Sequence, residues 1–475
     1  MSAADLEIYM LQLVNVERAA RGLAPLAWNG ELAEAADVQA DHIIAIDRLS
    51  HDGPGGSDLE ARVRATDYPF GSSWRLGENV GYAELWEPEG LVDEVDLLHA
   101  GLMNSDGHRA NILSDTSEIG IQLTVGDMGG FDAAVVAQVF GRGANGPFVT
   151  GVAYDDANGD GAYDPGEGVG GVPVVLTEVG TGRVTLAVTN AAGDYATETA
   201  SGSYEVAFGL AGDGRAVTVG ADNVGLDAAA TAADGGATLT RLSDGANEFR
   251  WASRAILNDA FGPGTRLTLD DMDDGSQTTT SVRADGVVAS IGRSDTASTH
   301  DWTRTTDHFD AAGRLERRET LFDDGDATTT LFENGKRSQH VDVDGSNSTN
   351  WTTRTQDYDA GGALSRRRYD WDDGDATVLS YAGGRMTERL NVDNTDGEAW
   401  ATRTIGYGAD GALSRRRYEW DDGDITELTY QNGRVVERFN ADVSNEHAWT
   451  SRTITYDTDG SVLDRSYVWD GDGLA

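Results

Sequence analysis

The chain has 475 residues, with 81 acidic against 36 basic side chains and a formal net charge of −45. That balance argues against nucleic acid or an anionic membrane as the main partner and suits an extracellular, self-repelling chain or one that takes many calcium ions. There is no cysteine, which excludes disulfides, thiolate catalysis and cysteine-ligated zinc.

At this length two to four domains are expected. No apolar run approaches the roughly 20 residues of a membrane span, so no transmembrane segment is expected. The start, Met1-Ser2-Ala3-Ala4-Asp5-Leu6-Glu7, has neither a basic n-region nor an apolar h-region. Export without a cleaved N-terminal signal peptide is the expectation, for example by a type I system.

Leu6, Tyr9, Met10, Leu13, Val14 and Val16 recur near helical spacing and predict an amphipathic helix over 5–21, stopped by Gly22 and Pro25. A second helix, 29–48, follows the Asn29 cap. A polar, glycine-rich stretch from Ser50 to Ser73 predicts a loop with a short helix near 57–65. A further helix is predicted over 89–104, and strands over 119–125 and 133–140. Gly107 reads as a helix stop, which leaves His108 on a sharply turned backbone. Ser50-His51-Asp52 and Gly77-Glu78-Asn79-Val80 look able to meet it. Two imidazoles and a carboxylate could hold a divalent cation, relay a proton, or hydrogen-bond one another across a cleft. The aromatic residues Tyr68, Phe70, Trp74, Tyr82 and Trp86 flank that cleft, as core closure or as the wall of a groove for a lipid, sterol or glycan.

Residues 7–140 resemble the CAP superfamily (cysteine-rich secretory, antigen 5 and plant pathogenesis-related-1 proteins) in its short bacterial form. The matching pieces are Leu13-Val14-Asn15-Val16-Glu17-Arg18, Gly22-Leu23-Ala24-Pro25-Leu26, Leu32-Ala33-Glu34-Ala35-Ala36, Ser50-His51, Gly77-Glu78-Asn79-Val80, Ser105 to Leu113, and Ile119-Gly120-Ile121. The resemblance implies an α-β-α sandwich with a cleft at a tetrad of two histidines and two acids. His51, Glu78 and His108 match, whereas Ser105 stands at the second acid; Glu94, Asp96 or His99 are candidates to replace it. Two readings of the CAP cleft follow: an open divalent site, for a metal such as zinc, or a hydrogen-bonded structural hub. The chain shows no Gly-x-Ser-x-Gly elbow and no His-Glu-x-x-His.

After Gly146-Pro147, the run Asp156-Ala157-Asn158-Gly159-Asp160-Gly161-Ala162-Tyr163-Asp164-Pro165-Gly166-Glu167 has the oxygen-ligand spacing of a calcium loop. Asp156, Asn158, Asp160, Asp164 and Glu167 would offer side chains and Ala162 its carbonyl. Strand-like residues, not helices, flank it at 148–154 and 169–176. That combination, continued by Gly193-Asp194-Tyr195 and Gly202 to Val206, resembles the calcium-binding B-type repeats of bacterial surface adhesins, which are β-sandwiches. An acidic turn held by Asx hydrogen bonds is the alternative.

From about 247 the chain repeats. Trp302, Trp351, Trp400 and Trp449 recur every 49 residues, and Trp251 marks a degraded earlier copy. Turn signals between alternating segments predict about four short strands per copy, in a linear array or a propeller. Aromatics are expected to ladder along one face and arginines to pair with acids on the other. The similarity of Tyr358-Asp359-Ala360-Gly361-Gly362-Ala363-Leu364 to YD-type repeats is slight.

The expected architecture is a multidomain chain: an α-β-α sandwich CAP domain (1–146), a calcium-binding β-sandwich and linker (147–246), and an all-β array of tandem repeats (247–475). The expected function is a secreted bacterial protein that binds a ligand, partner, glycan or cell-surface component, with a calcium-braced connector and a β-repeat stalk or attachment region. The alternative is a metal-dependent or His/Glu-based hydrolase of peptides or esters at the CAP cleft.

Overall fold

The computed structural model describes residues 2–85, 91–209 and 214–470. They divide into two compact units, 1–287 and 288–475.

The first unit begins with α1 (Ala3–Ala19), whose N-terminus is closed by a capping box: the Ser2 hydroxyl accepts from the Asp5 amide and the Asp5 carboxylate accepts from the Ser2 amide. Then come β1 (Ala27–Trp28), α2 (Gly30–Ile46), α3 (Leu59–Val63), β2 (Arg75–Glu84), α4 (Val92–Asn104), α5 (Asp106–Ile112), β3 (Glu118–Met128) and β4 (Phe131–Arg142). The predicted helices and strands are present with shifted ends. Asn29 and Asp58 cap α2 and α3 through their side chains, as short polar residues do.

The sheet order is β1-β3-β4-β2, which leaves β2 at an edge. Along β4 the side chains alternate between two cores. Ala134, Val136 and Phe140 join Leu6, Leu11, Val95, Leu98 and Ile112 on one face. Ala133, Val135, Ala137 and Val139 join Leu32, Ala36, Ala40 and Ile43 on the other. With period-two alternation buried on both sides, this is the expected α-β-α sandwich.

Two local expectations are corrected. Gly107 does not stop a helix: α4 ends at Asn104, Ser105 is extended (φ −89°, ψ 124°), and His108 lies inside α5. The stretch around Glu78, given no secondary structure from the sequence, is the ten-residue strand β2. Its glycines mark close approaches rather than turns: a Cβ on Gly77 would lie 3.2 Å from Asn111 Oδ1.

The second domain of this unit starts with β5 (Phe148–Tyr154), which pairs with Asp194–Glu198. A second sheet joins Pro173–Glu178, Val184–Val188, Gly202–Phe208 and Arg215–Val219. Their facing side chains, among them Val149, Val174, Leu176, Tyr195 and Val206, form the sandwich core. Val152, Tyr154, Tyr163 and Ala192, however, pack into the same cluster as Leu6, Ile8 and Leu11 of α1. Asn223 sews the joint further: its amide donates to the carbonyls of Pro25 at 3.0 Å and Ser117 at 2.7 Å, and its oxygen accepts from the Phe148 amide at 3.0 Å. The two domains therefore share a core instead of meeting through a free linker. Thr238–Ser243, in the expected linker, pairs with Trp251–Asn258 as the first of the repeat-type strands.

The second unit is antiparallel throughout. Trp302–Phe309, Leu315–Phe322, Ala327–Glu333 and Lys336–Val343 make one copy of four strands, and the pattern returns at Trp351 and Trp400. Each strand pairs with the next in sequence, from Val288–Ser294 to Val462–Trp469. Separate four-stranded blades would break this pairing, so the propeller alternative is replaced by a continuous array. All buried apolar clusters among the described residues lie before residue 288; the repeat strands are held by neighbours within the sheet.

Candidate functional site

The three expected cleft residues come from three separate elements. His51 lies in the loop after α2, where the Gln39 amide holds the Ser50 carbonyl at 2.6 Å. Glu78 sits on edge strand β2, opposite Val139. His108 is on α5, and its carbonyl accepts from Asn79 Nδ2 at 3.2 Å. Asn111, one turn on, donates to the Glu78 carbonyl at 3.0 Å and to Asn79 Oδ1 at 2.9 Å. Two asparagines thus fix α5 against the sheet edge, where backbone groups would otherwise lack partners.

His51 Nδ1 is 2.7 Å from Glu78 Oε1. The other carboxylate oxygen of Glu78 accepts from Arg62 of α3. Arg62 also donates to the carbonyls of His51 at 3.2 Å and Ser57 at 3.0 Å, which ties the His51 loop to the same group. The side chains of Arg62 and Glu78 are only 2% and 4% exposed, so each charge depends on the other. Burial, with a smaller contribution from His51, lowers the pKa of His108.

Arg62 was missed in the sequence because nothing in Leu59-Glu60-Ala61-Arg62-Val63 distinguishes it from a solvated helix residue. Its guanidinium supplies the positive charge that a divalent ion would bring to Glu78. Among the described residues no group of three or more His, Cys, Asp or Glu forms a metal-holding arrangement. As arranged, the cleft therefore does not fit a three-ligand metal centre. Of the candidates for the second acid, Asp96 accepts from Tyr9 of α1 at 2.9 Å, and desolvation lowers the pKa of buried His99 against the opposing pull of Glu17 and Asp96. Glu94 is also buried.

Of the flanking aromatics, Tyr68 is buried and closes the α2-side core. Phe70 meets Tyr68 and Trp74 edge to face at 5.5 and 5.3 Å. Trp74 and Tyr82 are exposed, and Trp86 lies outside the described residues. The Tyr68 hydroxyl donates to buried Glu118 at 2.9 Å, and Asn29 Nδ2 donates to the same carboxylate at 2.8 Å.

The acidic loop of the sandwich is wrapped around its own side chains. Asp156 accepts from the amides of Gly159, Asp160 and Gly161 at 2.8, 3.1 and 3.0 Å. Gly159 and Gly161 both have φ 78°, which a side chain rarely allows. Glu167 reaches back to the amides of Ala157 and Asp164 at 3.1 and 3.0 Å. Asn158 Nδ2 is 2.6 Å from Asp164 Oδ2 and 3.2 Å from Asp160 Oδ2. One amide nitrogen thus reaches two carboxylates, its positive hydrogens standing where a cation would screen them. Its side-chain and carbonyl oxygens are the hard donors that calcium takes, although as arranged, with the Asn158 amide between the carboxylates, this loop forms no metal-holding group either.

Two family models match the chain. Residues 11–140 match the cysteine-rich secretory protein family, CAP. Residues 149–254 match the SdrD B-like domain. A search of curated proteins gives no match. Among solved structures, an outer surface protein of Borrelia burgdorferi is similar at 19% identity, covering 29% of this chain and 92% of that one with a TM-score of 0.22. An extracellular protein with an SCP domain from Bacillus anthracis is similar at 27% identity over 28% of this chain, with a TM-score of 0.22. The match covers 39% of that second protein's length. The two family matches together support an extracellular, adhesin-like module.

Proposed function

We propose that this is a secreted bacterial binding protein, in which the CAP domain presents a ligand- or partner-binding surface, the sandwich is a calcium-braced connector, and the repeats extend or attach the molecule. The observation that carries the CAP reading is the double engagement of Glu78, by His51 on one oxygen and by buried Arg62 on the other. A carboxylate so committed is a poor general base and a poor metal ligand. The cleft is then a polar hub that holds the His51 loop and α5 in place. Zinc titration tests it: the unmodified chain should take up no zinc at this site, and uptake lost in a His51→Ala/His108→Ala variant would contradict the hub.

Calcium in the connector would be held by Asp156, Asn158, Asp160, Asp164 and Glu167 and by the Ala162 carbonyl, offsetting the repulsion among the carboxylates. The loop abuts the shared core: the Tyr154 hydroxyl donates to the Gly161 carbonyl at 3.0 Å, and Tyr154 meets Tyr163 edge to face at 6.2 Å. Added calcium should raise the melting temperature of the first unit, and an Asp156→Asn/Asp160→Asn variant should lose that rise. No rise in the unmodified chain would refute the brace.

The hydrolase alternative rests on His108, whose pKa burial lowers, which favours the neutral imidazole that a general base needs at the start of a reaction. Turnover of peptide or ester substrates that disappears in His108→Ala, with folding intact, would favour it.

A further inference from the structure

One face of the repeat sheet combines stacked aromatic rings with cations that have no carboxylate partner. Reading register across the strands, Arg367 lies beside Leu379, which lies beside Arg389, then Ile405 and Arg416. Leu428, Arg438, Ile454 and Arg465 continue the row. An arginine thus returns on every second strand, about 10 Å apart at the usual strand spacing.

None of these five arginines forms an ion pair among the described residues. Their sequence neighbours on the opposite face do. Arg368 pairs with Asp370 at 2.6 Å, Arg415 with Glu388 at 3.3 Å, and Arg417 with Glu419 at 2.8 Å. In the arginine triplets 366–368 and 415–417, the expected pairing with acids therefore holds for the outer two residues and not for the central one. On the free face the Nε atoms of Arg367 and Arg416 are buried without a hydrogen-bond partner.

The first full copy shows what the others lack. There Asp307 takes Arg318 at 2.6 Å, and Asp342 takes Arg354 at 2.9 Å. One and more repeats later, the place of Asp307 is filled by Gln356, Ile405 and Ile454, and that of Asp342 by Asn391 and Asn440. The acids are gone and the arginines stay.

Rings flank the row. Tyr369 stacks on Trp371 at 5.2 Å and 15°, Tyr418 on Trp420 at 5.4 Å and 15°, and Tyr467 on Trp469 at 5.1 Å and 18°. On a chain of net charge −45, a strip of guanidinium groups held only by neutral acceptors such as Gln356, Asn391 and Asn440 selects an anion. Its spacing calls for a polymer whose charges recur along an extended chain, and the neighbouring rings suit the apolar faces of sugars.

We propose that this face, from the copy at Trp351 onward, binds an anionic polysaccharide bearing carboxylate or sulfate groups. The guanidinium groups would take the acid groups in forked hydrogen bonds and the aromatic edge would take the sugar rings. The proposal deepens, and rests on, the reading of the repeats as an attachment region.

The test uses the full chain on immobilised alginate (carboxylate), heparin (sulfate) and dextran (neutral), with single-stranded DNA as competitor. The expected result is salt-sensitive retention on one or both anionic polymers and none on dextran. Grafting the first copy's own residue into the row, as Ile405→Asp with Ile454→Asp, should weaken retention about tenfold or more. Removing paired arginines on the other face, Arg368→Met with Arg415→Met, should leave it within about twofold. Tryptophan fluorescence of the unmodified chain should change with the retained polymer and not with dextran, a readout independent of how the variants fold. Equal loss in both variants, no retention on either anionic polymer, or preference for DNA would overturn the proposal. Retention on stripped bacterial cell walls, unaffected by the grafted aspartates, would overturn it while leaving the attachment reading in place.

Discussion

The two units of this chain stabilise arginine in opposite ways. In the first, Arg62 is buried and consumed by Glu78, and Arg18 donates to the carbonyls of Ala24, Ile112, Ser114 and Thr116. These guanidinium groups act as internal bolts in a unit that also has continuous apolar cores. In the second, no buried apolar cluster is present among the described residues, and arginines lie among rings on an open sheet face. Arg354, Arg403 and Arg452 cover the faces of Trp351, Trp400 and Trp449 at 5.4, 5.3 and 5.2 Å. Where a core exists, a charge is spent on holding the chain together. Where none exists, one row of arginines in the later copies stays on the surface without carboxylate partners, while others in the same sheet pair with acids.

If that contrast is right, breaking a bolt should cost far more than breaking a rung. Arg62→Met leaves the Glu78 carboxylate buried and half-paired, and should destabilise the first unit by about 3–5 kcal/mol in urea unfolding. Adding Glu78→Gln should recover much of the loss, because the stranded charge is gone.

Asp194 is next. Burial, and secondarily Asp227, raises its pKa to about 7, and its Oδ1 has no hydrogen-bond partner. A raised carboxyl binds its proton more tightly in the folded chain. Its neutral form thus costs nothing extra below the unfolded value of 3.8, and stability falls as pH rises from there to about 7. Asp194→Asn should accordingly raise stability at pH 8 by roughly 2–4 kcal/mol and leave it nearly unchanged at pH 3. Equal effects at both pH values would dismiss the buried acid.

Asn223→Ala removes three bonds, two of them across the joint between the CAP domain and the sandwich and one to Phe148 within the sandwich. It should cost about 2 kcal/mol, with the unit still melting as one; two separate transitions would show that the shared core does not couple the domains.

The smallest effect belongs to the repeats. Trp420 Nε1 donates to Thr426 Oγ1 at 3.1 Å, and Asn440 Nδ2 donates to the same oxygen at 2.8 Å. Trp371, Thr377 and Asn391 repeat the arrangement, each bond at 3.1 Å. Trp420→Ala should cost about 1 kcal/mol, felt in its own copy and its neighbours.

How much of this was legible follows from what a sequence displays. His51, Glu78 and His108 stood in recognisable motifs, and the loop from Asp156 to Glu167 announced itself by spacing. The 49-residue tryptophan period gave the repeats and their four strands. Arg62 carried no such mark, because its role depends on α3 being folded against β2. Strand β2 carries Gly77 and Gly81, residues that weaken a strand pattern, and Gly77 gives room to Asn111 of α5, whose Oδ1 would lie 3.2 Å from a Cβ there. The divided fate of the arginine triplets could be seen only once register placed Arg367 and Arg416 on the ring-bearing face. The substitution of Asp307 by Ile405 and Ile454 was in the sequence, but its meaning needed the partner Arg318.

Hydrogen exchange across the full-length chain tests the contrast between the two units most directly. The account predicts that the amides of β3, β4 and β5 exchange slowest and together, in one cooperative opening that spans the CAP domain and the sandwich, while the repeat strands open copy by copy at lower cost. Repeat strands as protected as β4, or β5 opening separately from β3 and β4, would contradict it.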